Sequence, residues 1–177
     1  MLITDDIELR LARAEDAQAL ADALVRNREH MRPWEPYRDE DFYTAAAQTE
    51  QIADASRVTW LLFDGERVAG RVSLQGVVRG PLCSASLGYW TDSDHLGRGL
   101  MPRAVEEVCR IARDELGLHR VEAGTITYNE ASQRVLAKCG FVQYGLAPKF
   151  LHIDGAWRDH VLFQRILHDD PPPHVPN

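Results

Sequence analysis

Residues 83–116 constrain the fold more than any other stretch. A strand-like apolar run, CSASLGYWT, passes through the short loop HLGRGLMP into a segment whose apolar residues Met101, Val105, Val108 and Ala112 recur at helical spacing. Residues three and four apart share one helix face, so an amphipathic helix is predicted over about 100–116, closed by Gly117. Such a stripe has to be covered by another layer of structure.

The rest of the chain supplies that layer. IELRLAR alternates Ile7, Leu9 and Leu11 on one face, as a half-buried strand does. Asp16 opens a helix with apolar face Ala17, Leu20, Leu24 and Met31, broken by Pro33 and Pro36 in RPWEPY. A second helix is expected over about 40–55, carrying Phe42, Ala45, Ala46, Thr49 and Ile52. VTWLLFDGERVAGRVSLQGVV reads as two strands joined at Asp64-Gly65. After the striped helix come a strand, HRVEAGTITY, and a short helix, NEASQRVLAKCG, with Asn129 as its N-cap and Gly140 past its end. FVQYG and WRDHVLFQRIL are the last strands, with the Asp-Gly turn of IDGAW between them. The order β-α-α-β-β-β-α-β-α-β-β mixes strand runs with helices. It gives an α+β chain with a mixed sheet rather than a strictly doubly wound one. One domain is expected over 1–168. The tail DDPPPHVPN, 169–177, is read as a frayed end because its prolines stop regular structure.

At 177 residues the chain is long enough for a single real core. Its net charge of −7 argues against a nucleic-acid binder that works by neutralising phosphates, and it favours a basic or amine-bearing partner. Cys83, Cys109 and Cys139 are isolated, with no CxxC and no cysteine–histidine pair at zinc spacing. Free, buried thiols in a reducing compartment and no metal centre are expected. Neither a signal peptide nor an apolar run of about 18 residues is evident, so no membrane role is expected and the cytoplasm is the default location.

The loop HLGRGLMP does not meet the dinucleotide fingerprint, because Pro102 stands where GxGxxG needs its third glycine. It lacks the GK[ST] of a P-loop as well. Its physics still suits a phosphate. Gly97 and Gly99 let backbone N–H groups converge, a helix N-terminus follows, and Pro102 loses nothing in the first turn. Arg98 and Arg103 add charge. Taken alone, the loop fits a phosphate cradle or a plain turn and helix start.

Read together, LGYWTDSDHLGRGLMPRAV and LGLHRVEAGTITYNEASQRVLAKCGFVQYG resemble the GNAT superfamily of acetyl-CoA-dependent N-acetyltransferases over nearly the whole chain. NREHMRPWEPYRDEDFY, SLGYW and LHIDGAWRDHVLF are similar to the RimJ/RimL-type ribosomal-protein alanine N-acetyltransferases. The family's glycine motif, [QR]xxGx[GA], is met strictly only at Gly99, since Leu96 and Met101 occupy its end positions. The resemblance implies a central twisted mixed sheet of about seven strands, with helices on both faces and a splay between the fourth and fifth strands. It implies that Tyr89, Trp90 and Thr91 offer backbone groups to the pantetheine arm of acetyl-CoA. Gly97, Arg98, Gly99, Leu100, Met101 and Pro102 would wrap the pyrophosphate, and Asn129 would hold the pantetheine side. For Asn129 a simple N-cap is the other reading, and both roles can coexist. A homodimer is a further implication, since relatives often form one.

Acetyl transfer to an amine needs a neutral amine, donors for the developing oxyanion and a proton for the leaving thiolate. An α-amine has a reference pKa of about 7.7–8.0 against about 10.4 for lysine, so a protein N-terminus is the easier acceptor to deprotonate. Ser132, three residues past Asn129, matches the serine to which RimL-type enzymes assign thiolate protonation; a capping serine is the alternative. The tyrosine of other relatives is replaced by Leu136. The glutamate positions of RimI-type and RimL-type relatives hold Gly124 and Leu151 here, which leaves the base open. Glu122, two residues before Gly124 on the same strand face, is one candidate, and His152 is a second. Asn27, Arg28, Trp34 and Glu35 match the most recognisable RimJ-like segment, and with His152 they are expected to line the acceptor pocket. Expected partners are acetyl-CoA and an amine, as in a ribosomal or other protein N-terminus. A small-molecule amine acceptor and a non-catalytic acyl-CoA-binding module are the alternatives.

Overall fold

The alternating and striped segments form one seven-stranded sheet in a computed structural model that describes residues 1–172. In chain order the elements are β1 (Ile7–Leu11), α1 (Ala17–Met31), α2 (Ala45–Ala53), β2 (Arg57–Asp64), β3 (Arg67–Val78), β4 (Ser84–Thr91), α3 (Leu100–Asp114), β5 (Arg120–Ile126), α4 (Glu130–Lys138), β6 (Val142–Ile153) and β7 (Ala156–Ile166). This is the expected succession. The strands lie in the order β1-β2-β3-β4-β5-β7-β6. Every neighbouring pair is antiparallel except β4 and β5.

That one parallel pair decides where a ligand can enter. β4 and β5 hydrogen-bond only from Ser84–Ser86 to Arg120–Glu122. Beyond this, β4 stays on β3 as far as Gly70 opposite Thr91, while β5 stays on β7 as far as Ile126 opposite His160. Each strand follows its outer partner, so the two diverge. Leu87 to Trp90 face the gap along an edge with no strand beside it, and backbone groups there need another partner.

Helices cover both faces. The α3 stripe is buried as its spacing requires: Met101, Val105, Val108 and Ala112 pack with Val72, Leu74, Leu87, Val121 and Ala123. On the opposite face Leu20, Ala23, Leu24 and Met31 of α1 meet Leu61, Phe63, Val68 and Trp90. Each fully buried Leu or Val contributes about 1.5–3 kcal/mol, so these two cores hold the sheet rigid on both sides of the splay.

Several local expectations change. Asp16 stands at the N-cap of α1 as expected, but its carboxylate makes no cap bond and instead takes the Arg13 N–H at 2.8 Å and two Arg10 guanidinium nitrogens at 2.7 and 2.5 Å. The 40–55 helix is divided, because Asp39 caps a 3₁₀ turn over Glu40–Tyr43 and Thr44 caps α2 separately. The inward residue of α2 is Gln48, which donates to the Phe42 carbonyl at 2.6 Å, whereas Ala46 and Thr49 are exposed. β6 runs well past FVQYG, interrupted by two bulges. Residues 169–172 carry no regular secondary structure, and 173–177 of the expected tail lie outside the described residues. Cys83, Cys109 and Cys139 are free and buried. Burial pushes the Cys109 and Cys139 thiols up to about 12 and about 11. No helix among the described residues is long and apolar enough to cross a membrane.

Candidate functional site

The splay opens a cavity of about 880 Å³ that joins the two faces of the sheet. Its back half lies between the end of β4, the N-terminus of α3 and the start of α4. Its front half lies over β3, β4 and β5 where α1 and α2 leave the sheet uncovered.

In the back half, the loop between β4 and α3 presents backbone. Gly97 and Gly99 have φ of 74° and 70°, in the left-handed region that side chains rarely adopt, and Gly99 is the N-cap of α3. A Cβ on either glycine would meet no atom within 4 Å. The loop therefore turns an open surface of N–H groups outward, at the positive end of a fifteen-residue helix. Its foundation is Asp92, which is fully buried. The carboxylate accepts from Arg26 Nε at 2.9 Å, Asn27 Nδ2 at 2.9 Å, the Asp94 N–H at 2.9 Å and Arg67 at 3.2 Å, with His95 Nδ1 at 3.4 Å. Burial pushes its pKa up, but the hydrogen bonds from Asn27 and Arg26 outweigh burial and hold it well below the usual carboxylate range. His95 Nε2 reaches Asp64 at 3.0 Å and so ties the loop to the β2–β3 turn.

Across from the loop, Asn129 caps α4 by accepting the Ser132 N–H at 3.1 Å, which leaves its amide N–H₂ unspent. Ser132 Oγ lies 2.7 Å from the Tyr89 hydroxyl, which also lies 3.1 Å from the Ser132 carbonyl. Burial pushes the Tyr89 phenol far above its ordinary value, so it stays protonated. A serine and a tyrosine hydroxyl thus stand as a pair in the cavity wall. The buried Thr125 Oγ1 and Trp90 Nε1, also in that wall, have no partner among the described residues.

The front half is built from side chains that share one sheet face by register. Arg71 stands opposite Trp90, Ser73 opposite Gly88 and Arg57 opposite Gln75. Trp34 and Glu35 enter from the turn after α1. That turn is tied across the cavity mouth by a Pro36–Ile153 bridge and by an Arg32–Asp154 pair at 3.6 Å. The Trp34 ring sits 6.0 Å from that of Tyr128. His160 is buried on β7 and lines the cavity. Its Nδ1 lies 3.1 Å from the Arg158 carbonyl, which can only accept, so Nδ1 carries a hydrogen, and Nε2 has no hydrogen-bond partner among the described residues. A Cβ on Gly124 would lie in ordinary van der Waals contact with the His160 ring, at 3.8 Å, so the imidazole stands directly beside position 124.

Most of the expected residues meet at this cavity: Tyr89, Trp90, Thr91, Gly97, Gly99, Leu100, Met101, Pro102, Asn129, Ser132, Trp34 and Glu35 all line it. Five do not. Arg98 turns away to Asp6 and lies 3.9 Å from Asp64. Asn27 is fully buried beneath the loop, bonded to Asp92, to the Ala23 carbonyl at 2.8 Å and to the Ser93 N–H at 2.8 Å. Arg28 faces outward onto Glu40 and lies over the Tyr43 ring. Glu122 shares the strand face of Gly124, but it sits beside the still-paired part of β4, held by Arg120 and by the Tyr144 hydroxyl at 3.0 Å. His152 is exposed on β6 and stacks edge-on against Trp157 at 5.6 Å, on the opposite strand face from Leu151. Asn27 and Arg28 thus serve the scaffold, and Glu122 and His152 stand outside the cavity. The sequence reading missed Arg57, Arg71 and His160, and the side chain of Tyr89. Strand alternation marks His160 as inward or outward, but only the β5–β7 register sets it beside Gly124.

Residues 6–142 match the acetyltransferase (GNAT) domain family. The chain is 36% identical to the [ribosomal protein uS5]-alanine N-acetyltransferase of Escherichia coli (strain K12), over 91% of this chain and 88% of that protein. The crystal structure of a ribosomal-protein-S5-alanine acetyltransferase from Vibrio fischeri superposes with a TM-score of 0.91 at 34% identity, covering 96% of this chain and 97% of that one. Mycobacterium smegmatis RimJ, solved in complex with CoA-disulfide, superposes with a TM-score of 0.83 at 28% identity, covering 90% of this chain and 81% of that one.

Proposed function

Because the chain belongs to the GNAT acetyltransferase family, as an N-acetyltransferase, we propose that its cavity transfers the acetyl group of acetyl-CoA to the N-terminal α-amine of a ribosomal or other protein. The observation that carries this reading is the splay, which joins a backbone-lined phosphate cradle to a separate, side-chain-lined acceptor floor. Two substrates can then meet in the gap without either displacing the other.

The back half fits coenzyme A. The open face of Gly97 and Gly99 and the α3 N-terminus suit a pyrophosphate, and the free β4 edge at Leu87–Trp90 suits an amide-bearing arm added like a strand. The Asn129 amide faces the same side. When bound, acetyl-CoA supplies the activated acyl group as a thioester. Thr91, Leu100, Met101 and Pro102 shape the walls of this half, chiefly through backbone.

Tyr89 and Ser132 hold the proton for the leaving thiolate. The single phenol proton goes either to the Ser132 carbonyl or to Ser132 Oγ, and in the second arrangement the serine O–H is free to turn into the cavity. His160 Nε2, bare and beside Gly124, takes the proton from the amine directly or through a water. Glu35 and Trp34 bound the acceptor side. The same reading puts the protein in the cytoplasm, where ribosomal proteins are made. A homodimer also belongs to it, since the edge strand β6 exposes Val142, Tyr144, Leu146 and Phe150.

Acetyl-CoA turnover on Ala- or Ser-initiated peptides, compared with polyamines and free amino acids, tests the reading. Peptide turnover is expected, and CoA binding with no turnover on any amine would leave only an acyl-CoA-binding module. His160→Ala should lower kcat by about 100-fold while the KM for acetyl-CoA holds. An unchanged kcat removes His160 as the base.

A further inference from the structure

Arg57 and Arg71 are the cations of the acceptor floor, and both are half-buried. Among the described residues neither forms an ion pair, and the Nε of each is fully buried without a hydrogen-bond partner. Most other arginines of the chain do pair: Arg10 with Asp16, Arg26 with Asp92, Arg28 with Glu40, Arg110 with Glu107 and Arg165 with Glu106. In an acidic chain with 27 carboxylates against 20 Lys and Arg, leaving two half-buried guanidiniums without one is costly. Burial weakens the hold of Arg71 on its proton; Glu35 opposes this, while Arg57 and Arg38 add to it. Arg38, Arg134 and Lys138 line the same cavity, so five Lys and Arg side chains share it with a single carboxylate, Glu35.

We propose that Arg71, with Arg57 beside it, is a carboxylate-binding subsite of the acceptor groove, selecting amines that carry an acidic group a short distance from the nucleophile. The proposal rests on the acetyl-transfer reading of the cavity. Arg71 is cross-strand to Trp90, and Ser73, one strand step away, is cross-strand to Gly88 at the splay. An extended peptide advances ~3.3 Å per residue, so with the amine at the splay the carboxylate falls within roughly the first four residues. The planar fork of a guanidinium matches a carboxylate with two parallel hydrogen bonds. The carboxylate has two sources: an acidic side chain of a protein N-terminus, or the free carboxylate of an amino-acid acceptor.

The test measures kcat/KM for Ala-Ala-Asp and Ala-Ala-Asn peptides bearing C-terminal amides, and for alanine against alaninamide. For the wild type the aspartate peptide should be favoured by about tenfold, through KM, with the preference shrinking as salt rises. Arg71→Gln should bring the ratio close to one, Arg71→Lys should keep part of it, and Arg57→Gln should reduce it independently. Thermal unfolding checks that each variant is folded. Equal kcat/KM for aspartate and asparagine peptides in the wild type, or a preference that survives both glutamine variants, overturns the subsite. If no peptide is acetylated, the protein-N-terminus reading fails separately. Alanine then decides: a preference over alaninamide that Arg71→Gln removes supports the subsite, and its absence overturns it.

Discussion

Asp92, under the loop at the back of the splay, and Arg71, on the floor at its front, are both charges withdrawn from water. Asp92 is saturated by Arg26, Asn27, Arg67, His95 and the Asp94 amide. Arg71 forms no ion pair among the described residues, and its Nε has no hydrogen-bond partner there. The closed network fixes the backbone of the loop before α3. The open cation leaves a bond for the ligand to complete.

The strongest way to break this comparison is at Asp92. Asp92→Asn takes from Arg26 its carboxylate, while Arg67 keeps Asp94, and should destabilise the fold by about 3 kcal/mol, read by chemical denaturation. The pKa of Asp92 is depressed in the folded state, so its stabilising effect is complete above the unfolded value near 3.9 and is lost only as pH falls through the lower folded value. The gap between wild type and variant should therefore hold constant from about pH 8 to pH 5 and close only in acid. A gap that closes near pH 6 would mean the network is not what ties down the loop.

A smaller effect is expected where the cradle is backbone alone. Gly99→Val forces a β-branched residue to a φ of 70° and should weaken acetyl-CoA binding about 100-fold by calorimetry, with the core intact. Ser132→Ala should lower kcat about tenfold with little change in acetyl-CoA affinity, because Tyr89 remains to hold a proton. Smallest is Arg98→Ala. Its guanidinium faces Asp6 and Asp64, so binding should fall by no more than about threefold. A larger loss from Arg98→Ala than from Gly99→Val would reverse the account of how the loop grips.

The two regions also differ in how far they could be read without a structure. The back of the cavity was legible because glycines, a helix stripe and an N-cap asparagine are local signals, each set by a few consecutive residues. The floor was not. Arg57, Arg71 and His160 lie on three strands, and nothing near any of them in sequence says that they share one face of one cavity. The missteps have the same origin. Asn27 and Arg28 belong to a recognisable segment, but the rotation of α1 turns one under the loop and the other outward. Glu122 has the right strand face and the wrong distance along it, because the splay begins just beyond the residue it pairs with.

Spacing of apolar residues, turn pairs and caps determined by themselves the order of the elements, the mixed character of the sheet and the glycine loop that opens α3. Those depend on contacts within a few residues, which the chain carries locally. Only the tertiary structure decided where β4 and β5 part and which side chains look into the gap. Strand register is set by packing over the whole sheet, and a shift of one residue moves a side chain to the other face.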